Sequence, residues 1–173
     1  MNRVSKLEQL TNFVVYITLQ LTLARYIILG KTAFCFIYVA FILLLPRRQA
    51  NLPVLLCVGF AVGLLIDLFY NSLGVHAFAS ILLLYSRALL LDRILPISDY
   101  EVVSQPTLRS MGWRRFALFT LLLIGIHHTA VFVLDADTTV LFTVCIRKIG
   151  FSTLLTYAAV LFTQGLILVI KKR

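Results

Sequence analysis

The chain has 173 residues, of which 61% are hydrophobic and only 13% charged, and its mean hydropathy is +0.98. Soluble domains are about half apolar and about a quarter charged, and disordered segments pair low hydrophobicity with high net charge, so both classes are excluded. The formal charge of +9 would suggest nucleic acid in a soluble protein, but here the basic residues sit mainly beside apolar runs, where they act as topology signals. A hydrocarbon core about 30 Å thick takes about 20 mostly apolar residues per helix, so the predicted fold is all-α, one polytopic membrane domain of about six spans in the lipid bilayer.

In chain order, Met1 to Asn12 carries Arg3 and Lys6 ahead of an apolar run. No small-residue cleavage pattern follows, so the run is read as an uncleaved first span over 13–29, with Arg25 near its end. Gly30-Lys31 turns the chain into a short second span over 33–45, which stops at Pro46-Arg47-Arg48. The third span, 54–70, opens at Pro53, where a proline in the first turn removes no hydrogen bond the helix needs. Asn71-Ser72-Leu73-Gly74 makes a tight turn into the fourth span, 75–91. Residues 92–113, with Asp92, Arg93, Asp99, Glu101, Arg109, Pro96 and Pro106, have the composition of a loop in water. The fifth span, 116–134, stops at Asp135-Ala136-Asp137, and the sixth, 149–170, ends in Lys171-Lys172-Arg173. Between them, Thr138 to Lys148 reads equally as an interfacial helix or as an extension of the last span.

Six spans put both termini on one side. With the N-terminus cytoplasmic, the inner segments hold Arg3, Lys6, Arg47, Arg48, Arg93, Arg109, Arg114, Arg115, Lys171, Lys172 and Arg173. The outer side holds only Arg25, Lys31, Arg147 and Lys148, which is the asymmetry the positive-inside rule demands. Arg87, near the inner end of the fourth span, is expected to snorkel to the interface. The loop 92–113 is then cytoplasmic, and it reads either as a linker or as a docking site for an inner-face partner.

Gly59, Gly63 and Asp67 recur every four residues and share one helix face, so two positions without side chains and one carboxylate face the same neighbour. The glycines let another helix approach closely. An aspartate at a helix centre costs about 2.5–3.5 kcal/mol on insertion scales, so Asp67 needs a partner. It is read either as a structural carboxylate, capping the turn at Asn71 to Gly74 or pairing with Arg25, or as an ion- or ligand-contacting group with His76 as companion. His127 and His128 point about 100° apart on a helix, which disfavours joint ligation of one ion and favours hydrogen-bonded buried histidines. Cys35, Cys57 and Cys145 lie at no metal-ligand spacing and are read as small buried hydrophobes. Catalytic, nucleotide-binding and zinc signatures do not occur in the sequence, so neither enzyme activity, nor a cofactor, nor a metal is expected.

Leu44-Leu45-Pro46, then Gly59, Gly63 and Asp67, then Leu73-Gly74-Val75-His76-Ala77 resemble the signature region of the MreD family of rod shape-determining membrane proteins. The likeness continues through Arg87, Ser110-Met111-Gly112-Trp113 and Ile126-His127-His128, which resemble the branch found in Bacteroidota. The resemblance implies a six-helix protein of the bacterial inner membrane, similar in fold to the substrate-binding components of vitamin transporters. It implies a scaffold that binds membrane-anchored MreC within the elongation complex of MreB, RodA and a transpeptidase penicillin-binding protein. Gly59, Gly63, Asp67, Gly74 and His76 are the positions onto which the family pattern maps, as partner-binding or helix-packing residues. The fold relationship also raises a second expectation, a small-molecule-binding transporter component with Asp67 and His76 beneath an outer pocket. An ion translocator using Asp67 and His127 would need a polar path across the bilayer, which the inner halves of the spans do not suggest.

Overall fold

The computed structural model describes residues 6–22, 26–29, 32–46, 51–94, 105–136 and 142–170. Seven helices and one short ladder make up these segments: α1 (Lys6–Thr22), β1 (Ile28–Leu29), β2 (Ala33–Phe34), α2 (Tyr38–Leu43), α3 (Leu52–Tyr70), α4 (Val75–Ile94), α5 (Leu108–Met111), α6 (Trp113–Leu134) and α7 (Phe142–Ile170). Among the described residues the fold is all-helical apart from the two-residue antiparallel ladder, in which Ile28 pairs with Phe34 and Leu29 with Ala33. Four helices among the described residues, α3, α4, α6 and α7, are long and apolar enough to cross a membrane.

Local sequence explains where these helices begin and end. Pro53 stands in the first turn of α3, and Asn71 closes the helix in the left-handed conformation at φ 55°. Gly74, at φ 81°, completes the turn into α4 with a backbone conformation that a side chain would strain. Thr107 and Ser110 form a reciprocal cap over α5. Gly112, at φ 74°, then redirects the chain into α6. In α7 the question over 142–148 is resolved, because Phe142 to Ile170 form one continuous helix.

The helices pack in sequence, α3 on α4, α4 on α6 and α6 on α7. One end of the bundle therefore carries the turn 71–74, and the other carries residues 105–112; they are called here the turn end and the loop end. Buried and exposed residues are distributed as a bilayer requires. Leu64, Leu68, Phe78, Leu118, Leu122, Phe151 and Phe162 are exposed, while Gln20, Asp67, Ser80, Arg87, His127, His128 and Thr156 are buried. An apolar outside around a polar inside is a stable arrangement in hydrocarbon and an aggregating one in water.

Two segments depart from the sequence-based expectation. The first helix covers 6–22 rather than 13–29, and residues 26–29 leave the helix to enter the ladder. The run 33–45 is not one helix: it is ladder at 33–34, irregular at 35–37 and helical only over Tyr38–Leu43, six residues that rise about 9 Å. All six side chains of α2 are buried, so this segment is enclosed by protein on every side. Its start lies at the turn end, where Phe36 meets Tyr70, His76 and Phe132, and its end lies toward the loop end, beside Arg87 and Gln105.

Candidate functional site: a polar core around an interrupted segment

The residues singled out on α3 converge on the start of α4. A Cβ built on Gly63 would fall 2.5 Å from Ala77 Cα and 2.6 Å from its nitrogen, and one on Gly59 would lie 3.3 Å from the Ser80 carbonyl. The two backbones therefore touch, and no side chain fits between them at Gly63. One turn further along, the Asp67 carboxylate meets α4 end-on. Its Oδ1 accepts from the His76 N–H at 2.9 Å, from Ser72 Oγ at 2.7 Å and from His76 Nδ1 at 3.0 Å, and its Oδ2 accepts from the Ala77 N–H at 3.0 Å. A carboxylate on the unpaired amides of a helix start satisfies the donors and opposes the positive end of the helix dipole. Of the structural readings open for Asp67, the geometry selects the cap. Pairing with Arg25 falls outside the described residues. Gly59, Gly63, Asp67, Gly74 and His76 thus form one clasp that closes the α3–α4 hairpin, and the glycine face looks inward onto α4.

A second set of polar side chains, of which only Arg87 was singled out in the sequence, holds the interrupted segment. Irregular backbone at membrane depth persists only where protein groups satisfy it. Gln20 does so twice, donating from Nε2 to the Cys35 carbonyl at 3.2 Å and accepting from the Tyr38 N–H at 3.2 Å, and it also donates to Tyr70 Oη at 2.6 Å. From α7, Ser152 Oγ accepts the Phe34 N–H at 2.9 Å and Thr156 Oγ1 accepts the Phe36 N–H at 3.0 Å. At the loop end Arg87 is the cap. Its Nε donates to the Leu43 carbonyl at 3.1 Å, its Nη2 donates to the Leu45 carbonyl, and Gln105 Nε2 donates to the Leu44 carbonyl at 2.5 Å. The snorkelling expected of Arg87 is corrected here: the side chain is 2% exposed and turns inward, because the last carbonyls of α2 need donors and a cation suits a helix C-terminus.

His127 and His128 diverge as their adjacency requires. His127 Nε2 lies 2.6 Å from Tyr38 Oη, whereas His128 donates from Nδ1 to the Ile124 carbonyl at 2.9 Å and takes a hydrogen bond on Nε2 from Thr156 Oγ1 at 3.2 Å. With the Phe36 N–H donating to Thr156, and Thr156 to His128, each group in that relay has one consistent role. The Phe36 ring sits among these groups, 5.2 Å from the His76 ring, 5.3 Å from that of His128 and 6.2 Å from that of His127. Two imidazole nitrogens in this core, His76 Nε2 and His127 Nδ1, are buried with no hydrogen-bond partner among the described residues. Thr129 satisfies its local Gly125 carbonyl at 2.8 Å.

Among the described residues, no group of three or more His, Cys, Asp or Glu side chains is placed to hold a metal ion. Of the cysteines only Cys35 is fully buried; Cys57 is exposed on α3, because it points away from the glycine face, and Cys145 is intermediate. The predicted polar loop is docked at its end, where Pro106, Leu108 and Met111 are buried, and residues 95–104 lie outside the described part. Along α6 runs an open apolar groove of about 810 Å³, with Phe78 and Leu82 on one wall, Gly150 and Leu154 on the other, and Gly125 and Leu122 on its floor. No family model, curated protein or solved structure matches this chain.

Proposed function

We propose that this protein is a non-enzymatic membrane scaffold of the cell-elongation complex, an MreD-like protein of the bacterial inner membrane that binds MreC alongside MreB, RodA and a transpeptidase penicillin-binding protein. The observation that carries this reading is the clasp. The residues onto which the family pattern maps, Gly59, Gly63, Asp67, Gly74 and His76, serve one purpose, the locking of α3 to α4. A rigid hairpin held by its own backbone leaves the outward faces of the bundle available to a partner's transmembrane helix. Six membrane passes belong to the same proposal, with α1 and the interrupted segment 33–46 added to the four long helices. Both termini are then cytoplasmic, a reading supported by Arg93, Arg109, Arg114 and Arg115 at the loop end.

The test is co-expression with MreC from the same genome and purification in detergent on a tag at the N-terminus of this chain. Stoichiometric recovery of MreC is expected. Leucine at Gly125 or Gly150, both open positions on the outer groove, then asks whether the partner seats there. A second reading, the binding component of a transporter, is favoured by the two buried unpartnered imidazole nitrogens near Phe36. Purification of this chain alone, folded and with a small molecule bound, would remove the scaffold reading in favour of the second.

A further inference from the structure

We infer that the corner where α5 meets α6 binds the phosphate headgroup of an anionic phospholipid, held between Arg109 and Arg114 with Trp113 beside them. This is independent of which partner the protein assembles with. Three observations place such a site. Arg109, Trp113 and Arg114 are all exposed, Trp113 to 59%, within six residues of chain. Their backbone is fixed: Leu108 and Met111 are buried against the bundle, Thr107 and Ser110 cap α5, and Gly112 at φ 74° sets the angle of the corner. The corner also stands where a spanning helix begins, and an exposed tryptophan at such a position marks the headgroup level.

At that level the partner available to two guanidinium groups is the phosphodiester of a lipid, and charge complementarity selects a lipid whose headgroup has no cationic centre to offset it. Asp92 and Arg93, which adjoin at the end of α4, offset each other in charge, whereas residues 109–115 carry three exposed cations, Arg109, Arg114 and Arg115, and no acid. A guanidinium presents a fork of donors to phosphate oxygens, and the indole N–H adds a donor from a ring that packs on the glycerol backbone.

The experiment uses the full chain in detergent micelles, with dioleoylphosphatidylglycerol and dioleoylphosphatidylcholine as probes, and native mass spectrometry as the readout of bound lipid. Preferential retention of phosphatidylglycerol is expected, and the double variant Arg109→Gln/Arg114→Gln should lose about 30-fold in that preference. Arg147→Gln/Lys148→Gln, at the opposite end of the bundle, should keep it. The inference is overturned if the corner variant keeps the wild-type preference, or if the distant variant loses it equally, which would show bulk charge attraction. Displacement of the lipid by millimolar inorganic phosphate would also overturn it, by showing a site for the free anion.

Discussion

Gln20→Leu is the most direct probe of the interrupted segment, because it keeps the side-chain volume close and deletes only hydrogen bonding. In the native fold the carboxamide serves the Cys35 carbonyl, the Tyr38 N–H and Tyr70 Oη. Its loss strands two buried backbone groups, at about 1–3 kcal/mol each, for a total of about 2–6 kcal/mol. Hydrogen bonds measured within membrane proteins average only about 0.6 kcal/mol, because the unfolded chain in lipid also finds partners, so the lower end is the working figure. A loss of about 2 kcal/mol, or about 30-fold in the unfolding equilibrium, is expected in detergent–SDS titrations followed by circular dichroism. The Tyr38 amide should also exchange its hydrogen faster, which a general loosening of the outer surface would not produce. If Gln20→Leu unfolds within about 0.5 kcal/mol of wild type, the size of an ordinary surface substitution, the segment is held by packing and not by this side chain.

The other perturbations test separate parts of the same architecture. Gly63→Ala places a methyl on the Ala77 backbone, so α3 and α4 must part, at a cost of about 1–3 kcal/mol; Gly125→Ala, with open space around it, should fall within about 0.5 kcal/mol of wild type in the same titration. Asp67→Asn presents an amide where a carboxylate now accepts from the Ala77 or His76 N–H, and about 2 kcal/mol should be lost with folded yield reduced in proportion. Arg87→Met leaves the Leu43 and Leu45 carbonyls without their guanidinium donor, at about 1–3 kcal/mol each, and Arg87→Lys should recover only part, since an ammonium lacks the fork that spans both; thermal unfolding of the three proteins gives the order. Gly112→Ala should cost about 1–3 kcal/mol, because φ 74° with ψ 162° is a backbone region confined essentially to glycine, and should disturb the α5–α6 corner, read as faster proteolysis between Gln105 and Trp113.

The legible parts of this protein are those in which local sequence and the bilayer agree. Apolar runs of membrane length, bounded by Pro53, by the Asn71 to Gly74 turn and by Asp135, determine α3, α4 and α6 to within a few residues. The four-residue recurrence of Gly59, Gly63 and Asp67 fixes a shared face, and the tight turn that follows Asp67 offers its carboxylate something to cap, so a structural role for Asp67 was already among the readings the sequence offered. Which helix the glycines pack against was not legible, since a small-residue face serves a partner chain and a neighbouring span equally well.

The interrupted segment shows why hydropathy alone fails. Residues 33–45 are apolar enough to read as a helix in lipid, because a helix is the default when nothing else can satisfy the backbone. Gln20, Ser152, Thr156, Arg87 and Gln105 supply that satisfaction from elsewhere in the chain. In the sequence they are single polar residues scattered across apolar runs or, for Gln105, in the polar loop, and only the pair Ser152 and Thr156, four apart on one helix face, hinted at a common target. Composition and periodicity therefore determined the solvent this protein lives in, the long helices and the tight turn between α3 and α4. Tertiary structure alone decided where the backbone leaves the helix, because a buried donor or acceptor is free to abandon its own helix only when a distant side chain has been brought within hydrogen-bonding distance of it.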